Sequence, residues 1–476
     1  MALARSYSIA ITGVRGHVVE IEADIENGLV ALLLVGLPDT ALREARDRIR
    51  SAIVNSRQAW PQRRITVGLS PASLPKRGSA FDLGIAVAIL AAGAVVPGAR
   101  LEGTVFLGEL GLDGRIRAVP GVLPAVAAAA AAGFRQAVVP APNAGEAALV
   151  PAMRVVSAPT LAALIGWLRS DPAPGPGDVQ LVDTGPGVAP PPGARPASGV
   201  VRDLADVVGQ PVGRRATEIC AAGGHHMLLL GPPGVGKTLL AERLPTILPP
   251  LEPAAALEVS AIHSVAGLLD SRHPLVTEPP FWAPHHTATK AAIVGGGSGI
   301  LRPGAASLAH HGCLFLDEAP EFDRDVLDAL RQPIESGEVV VARSGLTARF
   351  PARFILVLAA NPCPCSGSGP ADGGCTCTPL VRRRYLARLS GPLLDRVDVK
   401  VTLLPVSRAE LLSDRQLTEP SAVVADRVRQ ARERACQRLS GTGWRLNADV
   451  PGSELRRRFR PAPGALAPLT RLTVAL

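Results

Sequence analysis

Aromatic residues make up only 3 % of the 476-residue chain, so its core must be built from aliphatic side chains. Lysine is as scarce. Lys76, Lys237, Lys290 and Lys400 are the four present, and the rest of the 50 basic residues are arginine. Long apolar runs are missing too. The longest, Leu83 to Val96, has 14 residues, short of the roughly 18 that a membrane-spanning helix needs. The opening MALARSYSIA has no signal-peptide core. Gly and Pro are abundant, at 48 and 45 residues, but without the G-x-y period of collagen. With 47 % hydrophobic and 19 % charged residues, the chain buries a large core and is not disordered. No long basic run stands out. The net charge of +9 and pI near 9.7 suit a polyanionic partner such as nucleic acid, or equally an arginine-favouring composition. The seven cysteines are odd in number and four crowd into residues 363–377. That fits a cytosolic chain with a metal clip better than a secreted disulfide framework.

The sequence divides at residues 171–200, a Pro- and Gly-rich stretch read as an extended linker. Before it, residues 1–170 mix strands and helices. Two strands flank Glu26-Asn27-Gly28, a hairpin signal. Helical spacing runs over Thr40 to Val54, an apolar helix over Ala80 to Ala92, a second hairpin around Leu112-Asp113-Gly114, and a helix over Ala125 to Ala132. Residues 201–405 alternate strand and helix, the pattern of a parallel α/β sheet. Residues 406–476 turn helical and charged.

The chemistry concentrates in the second half. His226 to Leu230 is a short apolar strand running into Gly231-Pro232-Pro233-Gly234-Val235-Gly236-Lys237-Thr238, with a helix after it. This is G-x-x-x-x-G-K-[ST] in strand–loop–helix context, with roughly 0.004 matches expected by chance in this composition. The glycines let backbone N–H groups curl around phosphate oxygens. Lys237 reaches the β- and γ-phosphates and Thr238 holds Mg²⁺. A second apolar strand ends in Asp317-Glu318. Asp317 suits the Mg²⁺ shell and Glu318 a general base for the attacking water. A third strand, Phe354 to Ala360, ends at Asn361, an amide able to position that water; an Asn before Pro is otherwise a turn residue. Arg396 follows an apolar segment and could reach a neighbouring subunit's γ-phosphate, or form an ion pair with Asp395 or Asp398.

Cys363, Cys365, Cys375 and Cys377 form C-x-C-x₉-C-x-C, four thiols able to hold a tetrahedral Zn²⁺, although C-x-C is tighter than the usual C-x₂-C. Cys220, Cys313 and Cys436 read as buried apolar residues. The pairs His285-His286 and His310-His311 read as structural, because adjacent side chains on most backbones diverge.

These pieces resemble the AAA+ ATPases of the magnesium-chelatase-like family, in particular its ComM/YifB group. The resemblance is carried by DLADVVGQ (203–210), GPPGVGKT (231–238), EVSAIHSVAGLL (258–269), residues 283–322, LRQPIESGEVVVAR (330–343), NPCPC (361–365) and SGPLLDRVD (390–398). It implies an AAA+ P-loop module acting as a ring, usually a hexamer, with ATP at subunit interfaces and Arg396 acting in trans. It also implies a β-hairpin facing the central pore, here Glu338 to Phe350 with Ser344-Gly345 at the turn. Arg343 and Arg349 on it, and Lys290 beside the Gly295–Gly299 stretch, would contact nucleic acid. The N-terminal domain is similar to the ChlI domain of the same group, an α+β fold of the Lon-protease, ribosomal S5-like type. There the Lon serine falls on Ala80 and the Lon lysine on Leu123, which speaks against proteolysis. The activity implied is a cytoplasmic DNA branch-migration helicase of transformation and recombination. A chelatase-type ATPase for metal insertion is the rival. A third reading, an ATP-binding module with little turnover, follows from the helical region after residue 406. The family's S-x-R-like segment is not met before residue 476, so the region reads as truncated.

Overall fold

Two sheets organise the chain. The computed structural model describes residues 2–36, 40–169, 179–182, 202–297, 301–343, 346–365, 375, 377–414 and 418–459. The first sheet is mixed and eight-stranded. Its order is Gln180–Val182, Arg154–Ala158, Gln136–Pro140, Thr104–Phe106, Ala2–Thr12, Arg15–Glu26, Arg64–Ser70 and Ala31–Val35. Period-2 patterning drives it: along Arg15–Glu26, Val19, Ile21, Ala23 and Ile25 are buried and their neighbours are not. Helix Asp82–Ala92 is apolar all round and packs into the core on one face. Helix Val122–Ala131 covers other apolar residues of the same sheet, among them Ile9 and Val139.

Two readings of this half need correction. The strands around Glu26-Asn27-Gly28 exist, but they do not pair with each other. Arg64–Ser70 inserts between them, antiparallel to the first and parallel to the second. The register is set by burial on the sheet face, and that outweighs a local turn signal. Gln180–Val182, inside the stretch read as linker, adds an antiparallel edge strand to Arg154–Ala158; residues 170–178 and 183–200 lie outside the described residues. The hairpin at Leu112-Asp113-Gly114 does form, pairing Leu110 with Ile116.

The apolar helix starts with an expensive group. The Asp82 carboxylate is fully buried, 2.9 Å from Arg48 Nε, and accepts the Leu110 N–H at 3.3 Å. Burial pushes its pKa up to about 6, against the pull of Arg48. A carboxylate raised in the folded state favours folding fully below its unfolded pKa, and that contribution is lost as pH climbs toward the folded value. Wild type is therefore expected to lose about 2–3 kcal/mol relative to Asp82→Asn between pH 4 and pH 7. Urea unfolding of both proteins across that range checks it; a pH-independent difference would contradict a buried, charged Asp82.

The second sheet is all parallel, in the order Phe281–Trp282, Cys313–Leu316, Ile355–Ala360, Met227–Leu230 and Val399–Thr402. Both faces are covered. Leu314, Leu316, Leu356 and Leu358 feed one core, while Cys313, Phe315, Ile355 and Val357 feed the other. Strands buried on both sides read as continuous apolar runs, as these do. The hairpin strands Glu338–Arg343 and Leu346–Pro351 stand apart, anchored by buried Val339, Val341, Ala348 and Phe350; Ser344-Gly345 lie outside the described residues.

Helix Ser421–Leu439 packs on helix Pro211–Gly223. Arg432 Nε donates to the Ala221 carbonyl at 2.9 Å and Arg427 Nε to Glu218 at 3.0 Å. Its inward face is Val424, Val428, Ala435 and Leu439. Cys436 lies off that face and is exposed, unlike buried Cys220 and Cys313, which corrects its reading as an apolar core residue. The chain after Phe459, where the shortened C-terminus was expected, lies outside the described residues. Among the described residues, the N-terminal half touches the second half closely at several places, two of them at glycines. Gly121 N–H donates to Ser264 O at 3.0 Å, and any Cβ at Gly13 would meet the Arg349 carbonyl at 2.5 Å.

Candidate functional site

Strand Met227–Leu230 lies between Ile355–Ala360 and Val399–Thr402, and Cys313–Leu316 lies beyond Ile355–Ala360. All run parallel, so their C-terminal ends meet at one edge. The turn 231–238, the Asp317-Glu318 pair and Asn361 therefore converge. Gly231 begins the turn by donating its N–H to Ala360 O at 3.1 Å. A Cβ there would fall 2.7 Å from the Leu403 carbonyl, so only glycine fits. Gly234 and Gly236 have φ of +78° and +93°, in the left-handed region where a side chain is strained. Gly236 leads into helix Lys237–Arg243. Pro233 and Gly234 are exposed, so the turn opens to solvent. Gln210 braces it from behind, donating to Val235 O at 3.1 Å and Leu404 O at 2.9 Å.

The Lys237 ammonium is buried over this turn. It donates to Gly231 O at 2.7 Å, Pro232 O at 2.9 Å and Asn361 Oδ1 at 2.9 Å. Three acceptors match its three protons. Burial lowers its pKa, and Asp317 and Glu318 oppose that. Thr238 Oγ1 donates to Asp317 Oδ2 at 2.7 Å, and Asp317 Oδ1 accepts the Glu318 N–H at 2.9 Å. A hydroxyl against a carboxylate is a pair of hard oxygens of the kind Mg²⁺ takes, so these side chains fit that ion. Glu318 has φ of +50°, a left-handed backbone that costs a non-glycine residue about 1–2 kcal/mol. Its side chain is exposed, and His286 Nδ1 lies 3.4 Å from its Oε2.

Other residues singled out in the sequence lie elsewhere. Arg396 binds Glu335 Oε1, with Nη2 at 2.6 Å, and not Asp395 or Asp398. Asp398 instead pairs with His225 at 2.8 Å. Arg343 occupies the last register pair of the hairpin, opposite Leu346, while Arg349 sits lower and bonds Glu338 at 2.7 Å. Lys290 opens helix Lys290–Val294 and is exposed. Cys363, Cys365 and Cys375 bring their sulfurs within 3.1–3.5 Å of one another, and Cys377 completes the group.

The histidine pairs depart from expectation. In both, the ring centroids are 4.1 Å apart, so the side chains do not diverge. His311 has φ of +57°, which turns its ring alongside that of His310. Both rings reach Glu258 Oε2, at 3.1 and 3.3 Å, and the two histidines hold its carboxyl well below the usual range. A cation does not suit this cluster. His310 Nδ1 accepts the Arg353 N–H at 2.9 Å, so in the neutral ring Nε2 carries the proton and offers no lone pair. The group is a structural hydrogen-bond cluster.

Sequence reasoning passed over Gln210, which closes DLADVVGQ and carries no signal separate from that motif; His286, read in the sequence as one of a structural pair, stands beside Glu318.

Comparisons with known proteins agree with this geometry. Residues 203–411 match the family model described as magnesium chelatase, subunit ChlI, and residues 21–143 match that of subunit ChlI of Mg-chelatase. An uncharacterized protein of Mycobacterium tuberculosis is 52 % identical over 98 % of this chain and 90 % of its own length. Protein YifB of Escherichia coli and competence protein ComM of Haemophilus influenzae are each 41 % identical over 96 % of this chain and 86 % of their own. The chain belongs to the magnesium chelatase-like ComM/YifB family. That family is one of AAA+ ATPases using ATP and Mg²⁺. A ComM/YifB chain shares less with chelatase subunits proper: the magnesium-chelatase 38 kDa subunit of Rhodobacter capsulatus is 31 % identical over 29 % of this chain. Among the described residues, no helix is long and apolar enough to cross a membrane.

Proposed function

We propose that this chain is a cytoplasmic ATP-hydrolysing AAA+ motor that works on branched DNA, moving a junction as a helicase does. The observation that carries the ATPase part is the Thr238–Asp317 contact at 2.7 Å beside the Lys237–Asn361 contact at 2.9 Å. One strand edge thus offers a phosphate cradle, a metal pair and a water-positioning amide. Backbone N–H groups of 231–238 hold the phosphates, and Lys237 exchanges its carbonyl partners for β- and γ-phosphate oxygens. Mg²⁺ held by Thr238 and Asp317 would neutralise charge on the phosphates. Glu318, exposed at the tip, takes a proton from the attacking water. Asn361 orients that water.

Arg396 is half exposed in its pair with Glu335, and in a ring, a hexamer by family resemblance, it is available to a neighbour's γ-phosphate. Cys363, Cys365, Cys375 and Cys377 supply a structural Zn²⁺ site. The N-terminal sheet is a Lon-like, S5-like domain without protease chemistry. Leu123, at the lysine position, gives its N–H to Glu146 at 3.2 Å, and Ser79, beside Ala80, bonds Glu109. Neither has an amine base among its hydrogen-bond partners in the described residues.

The DNA part rests on the pI of 9.7 and on the hairpin, with Arg343 in its last register pair and Arg349 further down, and on exposed Lys290. Charge of this kind binds phosphate backbones without reading sequence. We divide the chain at residues 170 and 200, with Gln180–Val182 of the intervening stretch pairing with the first sheet. The expected result is ATP hydrolysis that rises several-fold with forked DNA at low salt and loses that rise as salt screens the contact. Phosphate release with and without the fork measures it. Hydrolysis indifferent to DNA but raised by a tetrapyrrole-binding partner would replace the motor reading with the chelatase one.

A further inference from the structure

We infer that a Zn²⁺ ion on Cys363, Cys365, Cys375 and Cys377 clasps Asn361 to the loop that carries Glu318, so that the metal sets the rate of hydrolysis without touching the nucleotide. The inference rests on the reading of those two residues as hydrolytic, while the metal site itself does not.

The four sulfurs are the first part of the argument. Their separations of 3.1, 3.4 and 3.5 Å exceed the 2.05 Å of a disulfide, so no pair of them is a disulfide. They come close to the roughly 3.8 Å edge of a tetrahedron with Zn–S bonds near 2.3 Å. Four cysteines gathered within 4.8 Å form the Cys₄ donor set of structural zinc.

What the set joins is the second part. Cys363 lies two residues beyond Asn361 and is buried at the end of strand Ile355–Ala360. Cys377 immediately precedes Thr378, which caps helix Pro379–Leu386 by accepting the Val381 N–H. Tyr385 buries that helix against the body. Two residues past the helix, Arg388 Nη1 donates to Pro320 O at 3.0 Å and to Glu321 Oε2 at 3.0 Å. Pro320 and Glu321 lie two and three residues after Glu318. The run from Asn361 through the thiols, the helix and Arg388 to the Glu318 loop is thus continuous, and the sulfur contacts among Cys363, Cys365 and Cys375 are where its two halves meet. A metal makes that link rigid.

The test uses the full chain purified in reducing buffer. Elemental analysis is expected to find about one zinc per chain, and Co²⁺ exchange to give thiolate charge-transfer and tetrahedral d–d bands. Cys375→Ser/Cys377→Ser is expected to lose the metal and to drop kcat at least tenfold with KM for ATP changed less than about threefold. Cys375→His, which still ligates zinc, restores metal and rate. Hydrogen exchange at Asn361, Cys363 and 321–322 rises in the double-serine variant whether or not the chain hydrolyses ATP. Absence of zinc from wild type overturns the proposal, as does a metal-free variant with unchanged exchange and rate. Zinc and exchange as expected in a chain that never hydrolyses ATP would leave the clasp standing and sink the ATPase reading.

Discussion

Replacing Glu318 by Gln is expected to stop ATP turnover while leaving nucleotide binding in place. The side chain stands at the open end of the site, half exposed, with His286 3.4 Å away. It makes no contact with the turn 231–238 among the described hydrogen bonds, which instead run through Lys237, Thr238 and Asp317. A carboxylate in that position serves by taking a proton, and an amide of the same shape cannot. General-base catalysis is worth about 10²–10⁴ in rate, or about 3–5 kcal/mol of barrier. The left-handed backbone at 318 is identical for Gln, so folding stability should change by less than about 0.5 kcal/mol. Steady-state phosphate release and titration with a fluorescent ATP analogue separate the two effects. A variant that keeps more than a tenth of the wild-type kcat would remove Glu318 from the role of base.

The site is legible in sequence because its parts are local. GPPGVGKT needs φ > 0 at Gly234 and Gly236 and no Cβ at Gly231, and each demand shows as a glycine. The parallel sheet is legible because strands such as Ile355–Ala360 are buried on both faces and read as unbroken apolar runs. Other features depend on partners far along the chain. Arg64–Ser70 displaces the hairpin expected at Gly28, a pairing decided by which faces meet the core. The approach of the His310 and His311 rings depends on a positive φ at His311 and on Glu258, 52 residues before His310. Arg396 chooses Glu335 over two nearer aspartates because the fold brings helix Arg331–Ser336 beside it. Such choices carry no periodic or motif signal.

Lys237→Ala should act in the opposite way to Glu318→Gln, abolishing nucleotide binding with little change in the stability of the nucleotide-free chain. In the free chain the ammonium satisfies two carbonyls and the Asn361 amide oxygen, but it does so at the expense of a buried charge, as its lowered pKa records. Truncation relieves that desolvation and leaves the three acceptors facing a turn already open at Pro233 and Gly234, where water can reach them. Loss and relief oppose each other, and the net change is expected within about 1 kcal/mol. Binding has no such compensation. Each charge-assisted hydrogen bond to phosphate is worth about 1.5–3 kcal/mol, so losing two weakens ATP binding by about 10²–10⁴-fold. Lys237→Arg should fail as well, because a planar guanidinium cannot aim three donors at the tripod that the ammonium occupies. Calorimetric ATP titration beside thermal unfolding of the free variants decides the matter. Wild-type affinity in Lys237→Ala would mean that phosphate does not sit in the turn 231–238.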